Sequence, residues 1–201
     1  ELGYKTNLTK GYYYAAIYHR STNGTITRIA TQAPPSTLIY TVFQNAGYSS
    51  NTGVEMVFQQ NFSKAFSFNS NVNIYRNIIN AFTVENKYPV LSIYTAGKEA
   101  ITSGNVKLNG IFHLPKKTYI QLTAIYLAPD IIPQGRIDTR FSVDMGIKKQ
   151  IQKDKGELFF NASDIFNTLR IKKTVTGNGF TLASTDYYET QVIRLGYSYK
   201  F

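Results

Sequence analysis

The chain has 201 residues, 43% of them apolar, with sixteen tyrosines, thirteen phenylalanines, no cysteine, no tryptophan and a formal charge of +10. This length suffices for one domain with a sizeable core; the lack of cysteine excludes disulfides and thiolate metal sites, and no run of about eighteen apolar residues is present to form a transmembrane helix. The lysines lie singly on polar faces or at turns (Lys10, Lys64, Lys116, Lys117, Lys153, Lys155) and no helix gathers them into a stripe, so a nucleic-acid surface is not expected.

The chain opens at Glu1 in strand-like sequence without a leader, as a mature segment or an excised piece would. Leu2 and Tyr4 share one parity and Gly3 and Lys5 the other, which predicts the end of a strand, and 8–11 reads as a short turn. A second strand runs from Tyr12 to Thr31 with an interruption at Asn23-Gly24. It exceeds the roughly 9–11 residues that cross a bilayer as a tilted strand, so part of it is expected to project beyond the membrane. Residues 33–50 read as a long connection, after which Val54, Met56, Phe58 and Phe62 oppose Gly53, Glu55, Gln59 and Asn61.

A tight turn at 63–65 leads into Phe66, Phe68, Val72, Ile74 and Ile78, set against Ser67, Asn69, Asn71, Asn73 and Asn77. Asparagine is a poor strand former, so a face built of it suggests a wet lumen. Arg76 shares the apolar parity, about ten residues above the turn, where it is expected to reach the outer membrane interface. Residues 83–97 read as a loop. Val106, Leu108, Phe112 and Leu114 then oppose Asn105, Lys107, Asn109 and His113; after a turn at 115–117, Ile120, Leu122, Ala124 and Tyr126 oppose Tyr119, Gln121 and Thr123.

A brief connection at 129–134 precedes the cleanest alternation, Ile137 to Ile147 on odd positions against Arg136, Asp138, Arg140, Ser142, Asp144, Gly146 and Lys148. A helix would have shown a 3.6 period instead. Arg136, Asp138, Arg140 and Asp144 are expected to form a lumenal charge ladder, not a catalytic set, because no activated nucleophile or acid–base pair accompanies them. A turn at 152–156 leads to Leu158, Phe160 and Ala162, a connection covers 165–184, and the last strand places Ile193, Leu195, Tyr197, Tyr199 and Phe201 on one face.

The reading is an all-β, antiparallel up-and-down transmembrane β-barrel of about nine strands, its short turns at one end and its long connections at the other, as outer-membrane barrels have them. Phe62, Phe66, Leu114 and Phe201 then fall near the periplasmic interface. No enzymatic role, cofactor or metal site is expected: His19 and His113 lie on different strands, and neither a phosphate loop nor a nucleophile elbow is present. Tyr40, Tyr48, Tyr88, Tyr94, Tyr187 and Tyr188 are available either to stack on a ligand or to pack within loops.

The alternating, aromatic ending at Tyr197, Tyr199 and Phe201 resembles the closing strand of bacterial outer-membrane barrels, which implies an assembly signal read by the barrel-assembly machinery. Glu1 to Lys5, Asn161 to Thr168 and Leu195 to Phe201 together resemble the C-terminal part of TonB-dependent outer-membrane receptors of the kind common in Bacteroidetes. The resemblance covers most of the chain through short motifs, of which Asp164-Ile165-Phe166-Asn167-Thr168 is the most specific. It implies a bacterial outer-membrane location, a 22-stranded barrel of which residues 1–201 are a C-terminal part, and uptake of a scarce nutrient. It implies outer-membrane lipid, the assembly machinery and TonB as partners, TonB acting through an N-terminal plug that is not recognisable here. Ligand-binding residues are not identified. Two alternatives stay open at this level: a small closed barrel of eight to ten strands with a structural or adhesive role, and a soluble all-β binding module with its apolar face turned inward.

Overall fold

A computed structural model describes residues 1–201. Its strands in chain order are β1 (Leu2–Leu8), β2 (Gly11–Gln32), β3 (Ile39–Asn61), β4 (Phe66–Ile79), β5 (Phe82–Asn86), β6 (Ser92–Ala96), β7 (Glu99–Leu114) and β8 (Thr118–Leu127). They continue with β9 (Asp130–Ile132), β10 (Gly135–Ile137), β11 (Arg140–Ile151), β12 (Gly156–Ser163), β13 (Ile171–Gly177), β14 (Phe180–Asp186) and β15 (Val192–Tyr199). Nine of them form one sheet in the order β1-β2-β3-β4-β7-β8-β11-β12-β15, in which every neighbouring pair is antiparallel. This is the up-and-down wall of nine spans that the alternation predicts. β1 and β15 are its two edges and do not pair with each other.

The register converts sequence parity into two continuous surfaces. One row runs through Phe66, Phe112, Ile120, Ile147, Phe160 and Leu195, apolar on all six strands it crosses. A row on the opposite face runs through Asn7, Tyr12, Gln59, Asn69, Asn109, Thr123 and Asp144 and is polar throughout. Only 19 of 201 residues are buried, while Ile193 and Leu195 are 68% and 79% exposed, so the apolar face of the wall has no protein layer over it.

The limits of the apolar surface are also in register. Above Ile17, Val54 and Ile74 lies the outward row His19, Thr52, Arg76 and Thr102, in which Arg76 Nη1 donates to Thr102 Oγ1 at 3.2 Å. Below Ile147 and Phe160 lies the row Thr118, Lys149 and Leu158. From Phe66 to Ile74 the band covers about 26 Å of strand at roughly 3.3 Å per residue, which a tilt of about 35–45° reduces to about 20 Å, close to the height of an outer-membrane apolar band. At its lower edge Phe66 stacks on Phe112, ring centroids 4.9 Å apart, and on Phe62 at 5.8 Å.

Beyond the upper edge the connections build a cap, and here the structure corrects the sequence reading. The connection expected over 33–50 is confined to 33–38, because β3 begins at Ile39 and runs 23 residues beside the 22 of β2. The loop expected over 83–97 holds the hairpin β5–β6, and the one over 165–184 holds β13–β14. The brief connection at 129–134 extends to β11 and contains β9 and β10. The strand expected to run unbroken past 136 is therefore two: β10 joins a separate four-stranded sheet, β14-β13-β10-β9, and only β11 joins the wall.

The cap has the one cluster of buried apolar side chains in the chain: Ile29, Ala46, Ile79, Phe82, Val84 and Ile131, with Tyr94, Ala96 and Ile101 against it. Ile29 and Ala46 have the same parity as the outward-facing Ile17 and Val54, so the packed face of the β2–β3 ribbon changes sides on the way up. The change occurs at Gly24 (φ +66°) and Gly47 (φ +37°), between the Asn23–Tyr48 and Thr25–Ala46 pairs. Two positive-φ glycines facing each other let the ribbon twist where side chains would resist it.

Met145→Lys places a charge in the middle of the apolar band and is expected to destabilise the inserted wall by about 2–4 kcal/mol, whereas Asn105→Lys on the wet opposite face should stay within about 0.5 kcal/mol of the wild type, as surface substitutions do. Denaturant titration of the two variants in lipid vesicles measures the difference.

Candidate functional site

The polar face of the wall and the mouth above it hold the groups able to meet a solute. On the wall, Tyr18 Oη donates to Asn73 Oδ1 at 2.9 Å, Asn71 Nδ2 donates to Glu55 Oε1 at 3.0 Å, and Asn109 Oδ1 accepts from Gln121 Nε2 at 2.8 Å and Thr123 Oγ1 at 2.9 Å. These cross-strand bonds explain why amides are tolerated in strands that disfavour them: each bonds to another strand, Asn73 reaching Tyr18 across β3, instead of competing with its own backbone. Lys148 and Glu157 add an ion pair at 2.6 Å on the same face.

At the mouth the cap is tied down onto this surface. Asp130 on β9 accepts hydrogen bonds from Tyr75 Oη at 2.7 Å and Asn77 Nδ2 at 2.8 Å, both on β4. Gln134, 4% exposed, bonds the backbone of Ala30 twice: Ala30 N–H donates to its Oε1 at 2.7 Å and its Nε2 donates to the Ala30 carbonyl at 2.8 Å. Two clefts open in the cap. One of about 280 Å³ lies between β6, the β9–β10 link and the β13–β14 turn, with Tyr94, Glu99, Gln134 and Asn178 on its walls. The other, of about 630 Å³, is lined only by Pro129, Asp138, Thr139, Asn167, Thr168, Arg170 and Lys172.

Of the expected charge ladder, the wall brings together only Arg140 and Asp144, which share the lumenal parity of β11. Arg136 sits on β10, opposite Ile131 and Thr174 in the cap sheet, and Asp138 lies in the link between β10 and β11, its N–H bonded to the Lys172 carbonyl at 2.9 Å. The two-residue link preserves parity, so the alternation in sequence runs on although the chain changes sheets. Asp144 bonds the backbone N–H of Asp164 at 2.8 Å.

That contact belongs to a clasp made by 164–168. Asp164, 1% exposed, has φ +44°, and its carboxylate accepts from the N–H of Thr168 at 2.9 Å, the N–H of Leu169 at 3.0 Å and Thr190 Oγ1 at 2.7 Å. Ile165 N–H bonds the Val143 carbonyl and Thr168 Oγ1 the Phe141 carbonyl, both at 2.8 Å, so the clasp closes the outer end of the β11–β12 hairpin. Asp164 lies in the connection after β12, outside the spanning strands. Burial pushes its pKa up, but the hydrogen bonds from Thr190, Thr168 and Leu169 outweigh burial and hold it below the ordinary carboxylate value.

Phe62 and Phe66 belong to the aromatic cluster below the band, and Tyr199 and Phe201 meet edge-to-face with ring centroids 5.5 Å apart. Tyr197 Oη donates to Gln152 Oε1 at 2.6 Å across the last turn. Tyr94 packs against Phe82 in the cap core, whereas Tyr40 and Tyr88 pair edge-to-face and Tyr187 and Tyr188 are exposed. His19 and His113 are on β2 and β7, and no group of three or more His, Asp or Glu side chains is placed to hold a metal ion. Asp130 and Gln134, which dock the cap, carry no signal in the sequence beyond their place beside a proline-containing turn.

Asp164→Ala is expected to cost about 2–4 kcal/mol, since it leaves two buried N–H groups and a hydroxyl without their acceptor. Because the folded-state pKa is depressed, the stabilisation is complete above the unfolded carboxylate pKa and is lost as pH falls through the folded value. Thermal unfolding of the two proteins from neutral to strongly acidic pH should show their difference shrinking at the acid end.

No curated protein and no solved structure gives a significant match to the chain. The profile of the Outer membrane protein beta-barrel family matches residues 1–199, nearly the whole chain. With its antiparallel wall, unclad apolar band and polar opposite face, the chain belongs to the Outer membrane protein beta-barrel family and is a protein of the outer membrane.

Proposed function

We propose that residues 1–201 form the C-terminal wall of a TonB-dependent receptor that imports a scarce nutrient of the siderophore, glycan or peptide class. The observation that carries the reading is the open sheet. β1 and β15 each present an edge of backbone N–H and C=O groups, and lipid offers such groups no partner, which supports closure of the barrel by further strands. Nine strands are about two fifths of a 22-stranded barrel, the size that encloses a plug. A small closed barrel would need β1 and β15 to pair, and a soluble module would need a layer over the apolar face.

Three further features support import. The Asp164 clasp closes the outer end of the penultimate hairpin, β11–β12, where the motif stands in the receptors this chain resembles. The lumenal face is hydrogen-bonded and carries charge. The cap clefts stand where a solute would arrive, one of them lined without a single apolar side chain apart from Pro129. Outer-membrane barrel families are typically non-enzymatic, and the function assigned is binding and passage. Tyr197, Tyr199 and Phe201 are assigned to recognition by the barrel-assembly machinery.

In cells carrying the full-length protein, removal of TonB should abolish the nutrient accumulation that depends on this protein, measured with labelled candidate ligands of the three classes. Accumulation that persists without TonB removes the receptor reading. Deletion of Phe201 should lower the amount of full-length protein inserted in the outer membrane severalfold, read by heat-modifiable migration of membrane fractions; unchanged insertion would remove the signal role and leave the barrel standing.

A further inference from the structure

The charge of the chain is concentrated at one end of the wall. Each of the four short turns carries exposed lysine: Lys10 between β1 and β2, Lys64 between β3 and β4, Lys116 and Lys117 between β7 and β8, and Lys153 and Lys155 between β11 and β12. The one carboxylate among them, Asp154, is bridged to Lys117. Short turns face the periplasm in outer-membrane barrels.

The density is greatest where two of these turns are neighbours. β8 pairs with β11, Gln150 N–H bonds the Lys117 carbonyl at 3.1 Å, and Thr118 stands opposite Lys149. Lys116, Lys117, Lys149, Lys153 and Lys155 therefore share one corner of the rim. Lys148 points into the lumen and pairs with Glu157, but Lys149 points outward at the foot of the apolar band with no carboxylate in ion-pair range. Lys116 (φ +59°), Lys117 (φ +55°) and Lys153 (φ +57°) occupy left-handed positions in which glycine or asparagine is the less strained choice. Turn geometry does not ask for lysine there.

We propose that this corner is a binding site for the phosphate headgroups of anionic phospholipids in the periplasmic leaflet. Lys149 decides the kind of partner: a cation pointing out of the wall, directly below Ile147 and beside Leu158, meets the headgroup layer and nothing in the periplasm. The phenylalanine cluster at the same edge sets the depth, with Phe66 and Phe112 in the acyl region and the turn lysines one layer below. The site does not depend on the transport reading, because any barrel of this family with this rim would have it.

The test uses full-length protein in neutral detergent, with partition of a fluorescent phosphatidylglycerol compared with that of phosphatidylcholine. The wild type should prefer phosphatidylglycerol at about 0.05 M salt and lose the preference near 0.5 M, where screening is strong. Lys149→Gln should lower the preference about fivefold, the partition equivalent of about 1 kcal/mol per lysine near an anionic surface, and K116Q/K117Q/K149Q/K153Q/K155Q together at least about tenfold. Lys148→Gln should leave it unchanged. The proposal is overturned if the wild type shows no preference at low salt, or if Lys149→Gln, with native heat-modifiable migration, retains it in full. It is equally overturned if the five-lysine variant keeps its lipid preference but no longer co-sediments with isolated peptidoglycan, which would assign the lysines to the cell wall.

Discussion

A backbone amide in hydrocarbon has no partner except another backbone group, and the rest of this structure follows from that constraint. Of 122 backbone hydrogen bonds, 109 lie within the regular elements, and each of the nine wall strands is paired with the next, so the wall is a continuous ladder, and continuity fixes its register. Register in turn fixes which side chains face out, because a slip of one residue would turn every apolar row into the lumen. The apolar row from Phe66 to Leu195 and the polar row from Asn7 to Asp144 are two consequences of one hydrogen-bond pattern. The unpaired edges at β1 and β15 are the points where the same constraint is still unmet within residues 1–201.

This explains how much of the molecule could be read from the amino-acid sequence. Wherever one strand face meets lipid and the other water, the chain must alternate, and all nine wall strands, the four short turns and the outward Arg76 were legible at that level. Alternation is a weak signal over a few residues, even where one face of a strand is exposed. Strands β5, β6, β9, β13 and β14 are three to seven residues long and sit inside connections, so they read as loop, while β10 reads as the start of the β11 strand. The failure at Arg136 and Asp138 is of the same kind: parity persisted through the β10–β11 link while the chain passed from the cap sheet to the wall. At Gly24 and Gly47 the reverse occurs, the chain keeping its partner strand while its packed face changes sides.

The residues that look most functional in the sequence divide along physical lines. Asp164, in the motif on which the proposed receptor reading leans most, is saturated by Thr168, Leu169 and Thr190; its carboxylate holds a loop shut, and no acceptor capacity faces the lumen for a ligand to claim. Tyr94 belongs to the cap core. The groups that remain open to a solute, among them Asp138, Arg170 and Lys172, lie in connections whose positions depend on how the cap folds. Under the proposed reading, solute contact falls to the part of the chain that periodicity describes least well.

The double hydrogen bond between Gln134 and Ala30 bears on how such proteins can vary. A side-chain amide that both donates to and accepts from one residue's backbone does what a neighbouring strand would do, and here it joins the third long connection to the upper part of β2. Asp130 joins the same connection to β4, and Asn178, donating to the Ile93 carbonyl at 2.8 Å, joins the fourth to the second. The connections of this cap are thus not independent appendages on the wall. An exchange of the third connection alone, by recombination or by grafting, would leave the Ala30 backbone, Tyr75 and Asn77 without their partners, so the cap tolerates replacement as a unit better than piece by piece.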